Sequence, residues 1–358
     1  MKKIIYLIII TLTFQHLQAQ RPPTSGPIGT TVTITGTGFN ATPAQNVVYF
    51  GSTKATVSAA TTTSITTTVP VGATYQPITV LNLSNGLTGS SLKPFQVTFS
   101  GGSISSSTFA TKVDFAASTE ALNMAMGDLD GDGKSDLVTV NFSANTISIL
   151  RNTCTSGNIS FAAKIDIATN TNPRGIAIGD IDGDGKPEVV VTNFNSNNVS
   201  VYRNTSSSGS ISFATKIDYA TGTGPRSVNI ADFDGNGLQD LAIAHAGNVM
   251  SVLRNTSSTG SISFQAKVDF ALTAGNSSTY VSSCDFDGDG KLDIAVNNNG
   301  LSTISVFRNT STSGIINASS FAAKVDFGTG AGPFGFSIGD FDGDTKPDLA
   351  VANFTGNS

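Results

Sequence analysis

Residues 180–188 read DIDGDGKPE, and four further stretches copy it: DLDGDGKSD at 128–136, DFDGNGLQD at 232–240, DFDGDGKLD at 285–293 and DFDGDTKPD at 340–348. The steps between successive copies are 52, 52, 53 and 55 residues. A near-constant period of this size marks a propeller or another repeat array, in which each unit buries its apolar faces against the next. Together the copies hold 19 of the 25 acidic residues of the 358-residue chain. Packing four carboxylates into nine residues is electrostatically unfavourable unless a cation sits among them.

The same frame recurs around each copy. Upstream, Phe109, Phe161, Phe213, Phe264 and Phe321 open segments of the form F-x-x-K-[VI]-D. Downstream of the first four copies, Arg151, Arg203, Arg254 and Arg308 begin Arg-Asn-Thr. In the second period, residues 161–167, 175–179, 188–192 and 198–203 read as four strands, and four strands per period make a propeller blade. The third strands (137–140, 189–191, 241–244) are continuously apolar, as expected of strands buried on both faces. No period near 3.6 suggests helices.

The alternation within each acidic copy supplies an oxygen donor set. Positions one, three and five are Asp128, Asp130 and Asp132; Asp180, Asp182 and Asp184; Asp232, Asp234 and Asn236; Asp285, Asp287 and Asp289; Asp340, Asp342 and Asp344. Gly at position six permits a sharp turn, and position seven offers only its carbonyl: Lys134, Lys186, Leu238, Lys291 and Lys346. Lysine is harmless there because its side chain can point outward. Position nine closes the shell with Asp136, Glu188, Asp240, Asp293 and Asp348. Such a set suits Ca2+, and the motif supplies no His or Cys for a softer metal. An EF-hand needs Glu at position twelve and flanking helices, whereas position twelve here is Thr139, Val191, Ile243, Val296 and Val351 in apolar strands. Up to five Ca2+ ions are expected. Asn236 removes one charge from the third site. Thr345 replaces the position-six Gly of the fifth, where a β-branched residue disfavours positive φ, so the fifth is expected to be the weakest.

Residues 21–99 are organised differently and contain no Asp or Glu. Short alternating runs at 31–35, 46–50, 78–83 and 95–99, punctuated by Gly, Pro, Ser and Asn, suggest about seven strands in a β-sandwich. Ahead of them, Lys2, Lys3 and an apolar run from Ile4 to Leu12 read as a secretory signal peptide over 1–20, cut near Ala19 or Gln20. That run is too short to span a bilayer. Export places the protein outside the cell or at its surface. Formal net charge is −5, and the acids cluster in the loops, which excludes a nucleic-acid or polybasic membrane binder by charge. The two cysteines, Cys154 and Cys284, fall in different repeats and indicate no disulfide. Cys284 stands where other repeats carry Gly127, Gly179, Ala231 and Gly339, so it reads as a small buried residue.

The run PTSGPIGTTVTITGTGF with VVYFGS, VPVGA and PITVLNLSNG, including Gly36, Gly38, Phe39, Phe50, Gly51 and Pro70, resembles the IPT/TIG family of Ig-like domains. From Phe109 onward, the five registered copies of the acidic motif and the steps Asn172-Pro173, Gly224-Pro225 and Gly332-Pro333 resemble the FG-GAP/VCBS repeats of integrin-type propellers. The resemblance implies an all-β chain: an Ig-like sandwich over 21–99 and propeller repeats over 100–358. It implies metal loops that are structural and lie away from the ligand face. It also implies seven blades, of which this chain supplies four and part of a fifth, leaving the strand near Leu349–Ala352 at an open edge. The competing expectation is a small closed ring completed by an N-terminal strand such as 102–106.

No catalytic site is expected. His16 lies in the leader, and His245 stands where other repeats carry Asn141, Asn193 or Asn297. Glu120 is the one unrepeated carboxylate, so a two-carboxylate glycosidase pair lacks a partner. The Arg-Asn-Thr-Ser sequons read as turn chemistry. The expected function is a binding or adhesion scaffold for a glycan or cell-surface protein. The alternative is an accessory module of a larger secreted polysaccharide-acting enzyme.

Overall fold

The computed structural model describes residues 18–20, 25–98 other than 52 and 75, and 110–356 other than 156, 343 and 345. The described residues are strands joined by turns, with two short 3-10 turns.

The N-terminal region is a two-sheet sandwich. One sheet orders Gln18–Gln20, Thr31–Thr37, Ser64–Thr68 and Val57–Ala60; the other orders Ser25–Gly26, Leu87–Val97, Gln76–Asn82, Asn46–Phe50 and Thr53–Ala55. Eight strands therefore lie between Ser25 and Val97, one more than expected, because the turn that begins at Gly51 leads into a short extra strand, Thr53–Ala55, antiparallel to Asn46–Phe50. Alternation sets the core: Val32 and Ile34 from one sheet meet Val48, Phe50, Ile78, Val80 and Phe95 from the other. Phe50 and Phe95 stack edge to face at 5.1 Å. Gln18–Gln20 pairs with Thr35–Thr37, so the end of the expected leader forms an edge strand here. The rest of that leader, residues 1–17, lies outside the described residues, as does the 102–106 segment.

Four four-stranded antiparallel sheets follow: the blades of a β-propeller. Blade one orders Ala121–Gly127, Asp136–Asn141, Thr146–Leu150 and Ile165–Ala168. Blades two to four repeat the order, beginning at Pro173, Pro225 and Val281. The first strands of successive blades touch, so they form the inner edge of the array. The strand phase corrects the expected blade. The F-x-x-K-[VI]-D segment does not open its own blade but closes the preceding one: Ile165–Ala168 pairs with Thr146–Ile149, and Ile217–Ala220 with Asn198–Val201. The sequence period is right and its phase is shifted by one strand. The first such segment has no preceding blade in the described chain, and residues 110–118 form no strand.

The cores lie between blades. Val138, Val140 and Ile147 of blade one meet Ile176, Val189 and Val191 of blade two, and the pattern repeats at each junction. The continuously apolar strands Glu188–Asn193, Asp240–His245 and Asp293–Asn298 are buried along their whole length. Each such Val or Leu contributes about 2 kcal/mol by leaving water. The fifth sheet pairs only Pro333–Gly339 with Asp348–Asn353, and the latter is half-buried to exposed. No sheet among the described residues joins it to blade one. The positive φ values of Asn172, Gly224 and Gly332 explain the Asn/Gly-Pro step, which turns the chain into each inner strand.

Candidate metal centres

Each acidic copy connects the first strand of its blade to the second. The inner strand ends on a small residue for a steric reason. A Cβ on Gly127 would stand 2.7 Å from Ile178 of the next blade, and one on Gly179 would stand 2.7 Å from Gln239 Oε1. The chain then curls through a ladder of side-chain to backbone bonds. Position one accepts the position-six amide: Gly133 N donates to Asp128 at 3.0 Å, Gly185 N to Asp180 at 3.0 Å, Gly237 N to Asp232 at 2.8 Å and Gly290 N to Asp285 at 3.0 Å. Position three accepts from position five, as in Asp184 N to Asp182 at 3.2 Å. Position five accepts from position seven, as in Leu238 N to Asn236 at 2.7 Å. The glycines at position six have φ of +86, +86, +90 and +87° in the first four loops, as the turn requires. Thr345 lies outside the described residues.

The curl brings carboxylate oxygens to one centre. In each loop, three of them lie within 4.8 Å of one another: Asp128, Asp130 and Asp136; Asp180, Asp182 and Asp184; Asp232, Asp234 and Asp240; Asp285, Asp287 and Asp289; Asp340, Asp342 and Asp344. Position nine has a second task. Glu188 accepts Ile181 N at 2.8 Å and Asn204 N at 3.1 Å, and Asp136, Asp240 and Asp293 repeat both bonds. It clamps the loop to the end of the third strand of its own blade, and in the first and third loops its carboxylate, Asp136 or Asp240, also joins the converging set. Two position-seven lysines turn away from the acids: Lys186 Nζ donates to Ser206 O at 2.8 Å and Lys291 Nζ to Ser311 O at 2.7 Å; Lys346 Nζ instead lies 3.7 Å from Asp344 of its own loop.

The electrostatics fit a cation. Burial, reinforced by neighbouring carboxylates, pushes Asp180 and Asp232 up to about 7 and Asp136 up to about 6. Glu188 and Asp240 are raised well above the ordinary carboxylate range for the same reason. Asp128 Oδ1 is buried with no donor. A divalent, oxygen-seeking ion such as Ca2+ would satisfy that orphan atom and offset the repulsion; positions one, three and five, the position-seven carbonyl and position nine would hold it.

Two sets of partners escaped the sequence reading. Arg254 Nε donates to Asp234 at 2.6 Å and Arg308 to Asp287 at 3.4 Å, and Arg151 forms an ion pair with Asp130 at 3.8 Å. Their signal was the fixed distance of Arg-Asn-Thr behind each acidic copy. The next residue ties consecutive loops together. Asn204 Nδ2 donates to Leu129 O, Asn255 Nδ2 to Ile181 O and Asn309 Nδ2 to Phe233 O, all at 2.8 Å. Their Oδ1 atoms accept the amide two residues on, so the sequons are Asx turns with a buried Asn.

One expectation about catalytic groups needs correction. His245 Nε2 lies 2.9 Å from Ser251 Oγ, which donates to Asp269 at 2.5 Å. His, Ser and Asp do meet, although repetition had suggested they would not. The serine is in the middle, however, and a nucleophilic triad needs the histidine there. In the other blades Asn141, Asn193 and Asn298 hold the same serine-aspartate pair. The counterpart of His245 is thus Asn298; Asn297 instead accepts Thr279 N and Tyr280 N. Glu120 is exposed and accepts Ser143 Oγ. Cys154 and Cys284 are not joined by a disulfide, and Cys284 is half-buried rather than buried.

The Ig-like sandwich sits over the loop ends of the first three blades. Between it and the inner strands lies a cavity of about 360 Å3, lined by apolar side chains such as Leu81, Ile178 and Ile230 and by neutral polar groups such as Gln76, Asn229 and Gln239. Asp180 is its one charged lining residue.

Solved structures similar to this chain include an auxiliary nutrient binding protein from Bacteroides thetaiotaomicron (12% identity, 94% of this chain and 98% of that one, TM-score 0.34). A putative 6-phosphogluconolactonase from Bacteroides fragilis is 13% identical over 88% of this chain and 89% of its own, with a TM-score of 0.46. A protein from Lactobacillus plantarum is 14% identical over 88% and 94%, with a TM-score of 0.44. At these values none of them speaks to a ligand or a reaction. No match is found among curated proteins. An IPT/TIG domain matches residues 22–109. The FG-GAP-like repeat matches 128–191, 180–243, 232–296 and 285–351, which is well over half of the 358 residues, and the chain belongs to the FG-GAP-like repeat family, with an IPT/TIG domain ahead of its repeats.

Proposed function

We propose that this chain is an exported, calcium-binding, non-catalytic scaffold that presents its propeller to a glycan or a cell-surface protein. The observation that carries the calcium reading is the registered convergence of three carboxylates in each of five loops. Repetition supports a structural role for the metal, since the same convergence recurs in five loops, each held by side-chain to backbone bonds. The cavity beneath the Ig-like sandwich supports a ligand with both apolar and hydroxyl-bearing faces, because apolar side chains such as Leu81, Ile178 and Ile230 line it together with hydroxyl and amide groups, and no Lys or Arg does. Export rests on the Lys2-Lys3 start and the apolar run after it. No helix of the described residues is long and apolar enough to cross a membrane.

Calorimetric titration of the metal-free chain tests the metal reading. We expect calcium to bind at four sites with a weaker fifth, with dissociation constants near the roughly 10⁻⁴–10⁻³ M of extracellular modules. Absence of binding, or magnesium binding equally well, overturns it. A glycan array probed with and without calcium tests the ligand class.

A further inference from the structure

The contacts between the Ig-like sandwich and the propeller do not fall at random. They fall on the acidic loops. Thr88 N donates to the carbonyl of Gly237 at 2.7 Å, and Tyr49 Oη donates to that of Gly185 at 3.2 Å. Gly237 and Gly185 are both position six, one peptide before the carbonyl that position seven offers to the metal. Thr53 Oγ1 lies 3.1 Å from the hydroxyl of Ser135, position eight of the first loop.

The fit is close enough to demand glycine. A Cβ on Gly237 would stand 2.6 Å from Leu87, and one on Gly183 would stand 2.9 Å from the carbonyl oxygen of Gly86. In the fourth loop, by contrast, a Cβ on Gly288 or Gly290 would meet open space. Tyr49 is half-buried and lies in the field of Asp180, Asp128, Asp184 and Glu188.

We infer that the second and third calcium loops are the docking surface of the Ig-like domain, so that calcium binding and domain docking are linked. This rests on the calcium reading above. The physical link is the peptide between positions six and seven. A bound ion fixes the direction of the position-seven carbonyl, and with it the plane that aims the position-six carbonyl at Thr88 or Tyr49. Without the ion, repulsion among the carboxylates reopens the curl, and both acceptors turn away. Linkage then works in both directions: docking raises the calcium affinity of loops two and three and leaves loop four unchanged.

The test uses the full chain carrying one fluorophore on the Ig-like domain and one on blade four. With calcium we expect a single short inter-dye distance; in excess chelator, a broad and longer distribution, restored by calcium. In parallel, Leu87→Glu sets a carboxylate against loop three and is expected to weaken two of the calorimetric sites about fivefold. A distance unchanged by chelation, with calcium binding intact, overturns the linkage and leaves the calcium reading standing. Calcium binding absent altogether overturns both. The wild-type distance measurement decides the question even where the variant fails to fold.

Discussion

Loops two and five share six of their nine letters and differ most in what surrounds them. Asp182 is 1% exposed, and its carboxylate accepts Asp184 N in its own loop and Gly260 N from the next blade at 3.0 Å. The loop lies beneath the Ig-like domain. In loop five, Asp340, Asp342 and Asp344 are all exposed. The two loops show that the ligand pattern is written locally, whereas its burial is conferred by the neighbouring blade and the sandwich. A buried loop concentrates the field of its carboxylates; an exposed one is screened by water.

The largest expected effect comes from removing the metal. At calcium ten times the dissociation constant, each occupied site adds about 1.4 kcal/mol to stability. Chelation is expected to lower the melting temperature on the order of 10 °C, and calcium to restore it better than magnesium. An unchanged melting curve breaks the comparison outright, since both loops would then be plain turns.

Next in size is the difference between blades three and four at one buried position. Burial lowers the folded-state value of His245 to about 4. The unfolded chain, near 6.5, binds its proton first as pH falls, so this contribution is full above pH 6.5 and is lost between 6.5 and 4. His245→Asn restores the residue the other blades use. It is expected to remove up to about 3 kcal/mol of the acid-side loss, seen as the difference between the two proteins' denaturant midpoints at pH 7 and pH 4.5. Identical pH profiles contradict the burial of a neutral imidazole.

Asp182→Ala and Asp344→Ala compare the loops directly. The first removes a buried acceptor and is expected to cost about 2 kcal/mol without calcium and to abolish one full-affinity site. The second is expected to stay within about 0.5 kcal/mol and to remove only a weak site. Equal losses by calorimetry would show that cover from neighbours does not set site strength.

The smallest effect separates two glycines. Gly183→Ala and Gly288→Ala both place a side chain at positive φ, which costs about 1 kcal/mol. The first also meets Gly86, whereas the second meets nothing. The excess destabilisation of Gly183→Ala over Gly288→Ala is expected to vanish when residues 1–99 are deleted, a comparison read by chemical denaturation.

Much of this protein was legible in its letters. The spacing of Asp180, Asp182 and Asp184 around Gly185 dictates a curled oxygen loop, because only glycine tolerates the φ of +86° found there. The run Val189-Val190-Val191 dictates a strand buried on both faces. These are properties of short segments. What the letters could not fix was partnership across the chain. Whether Ile165–Ala168 opens its own blade or closes the one before depends on which edge it reaches first, and its local pattern is the same either way. The meeting of His245 with Ser251 and Asp269, the tie from Asn204 to Leu129 and the seating of Thr88 on Gly237 join residues 6 to 149 positions apart. Sequence by itself determined most of the strands, the period and the curl of the acidic loops. Tertiary structure decided the strand phase, the burial of each loop and the domain that covers it, because those depend on packing between segments that local pattern does not encode.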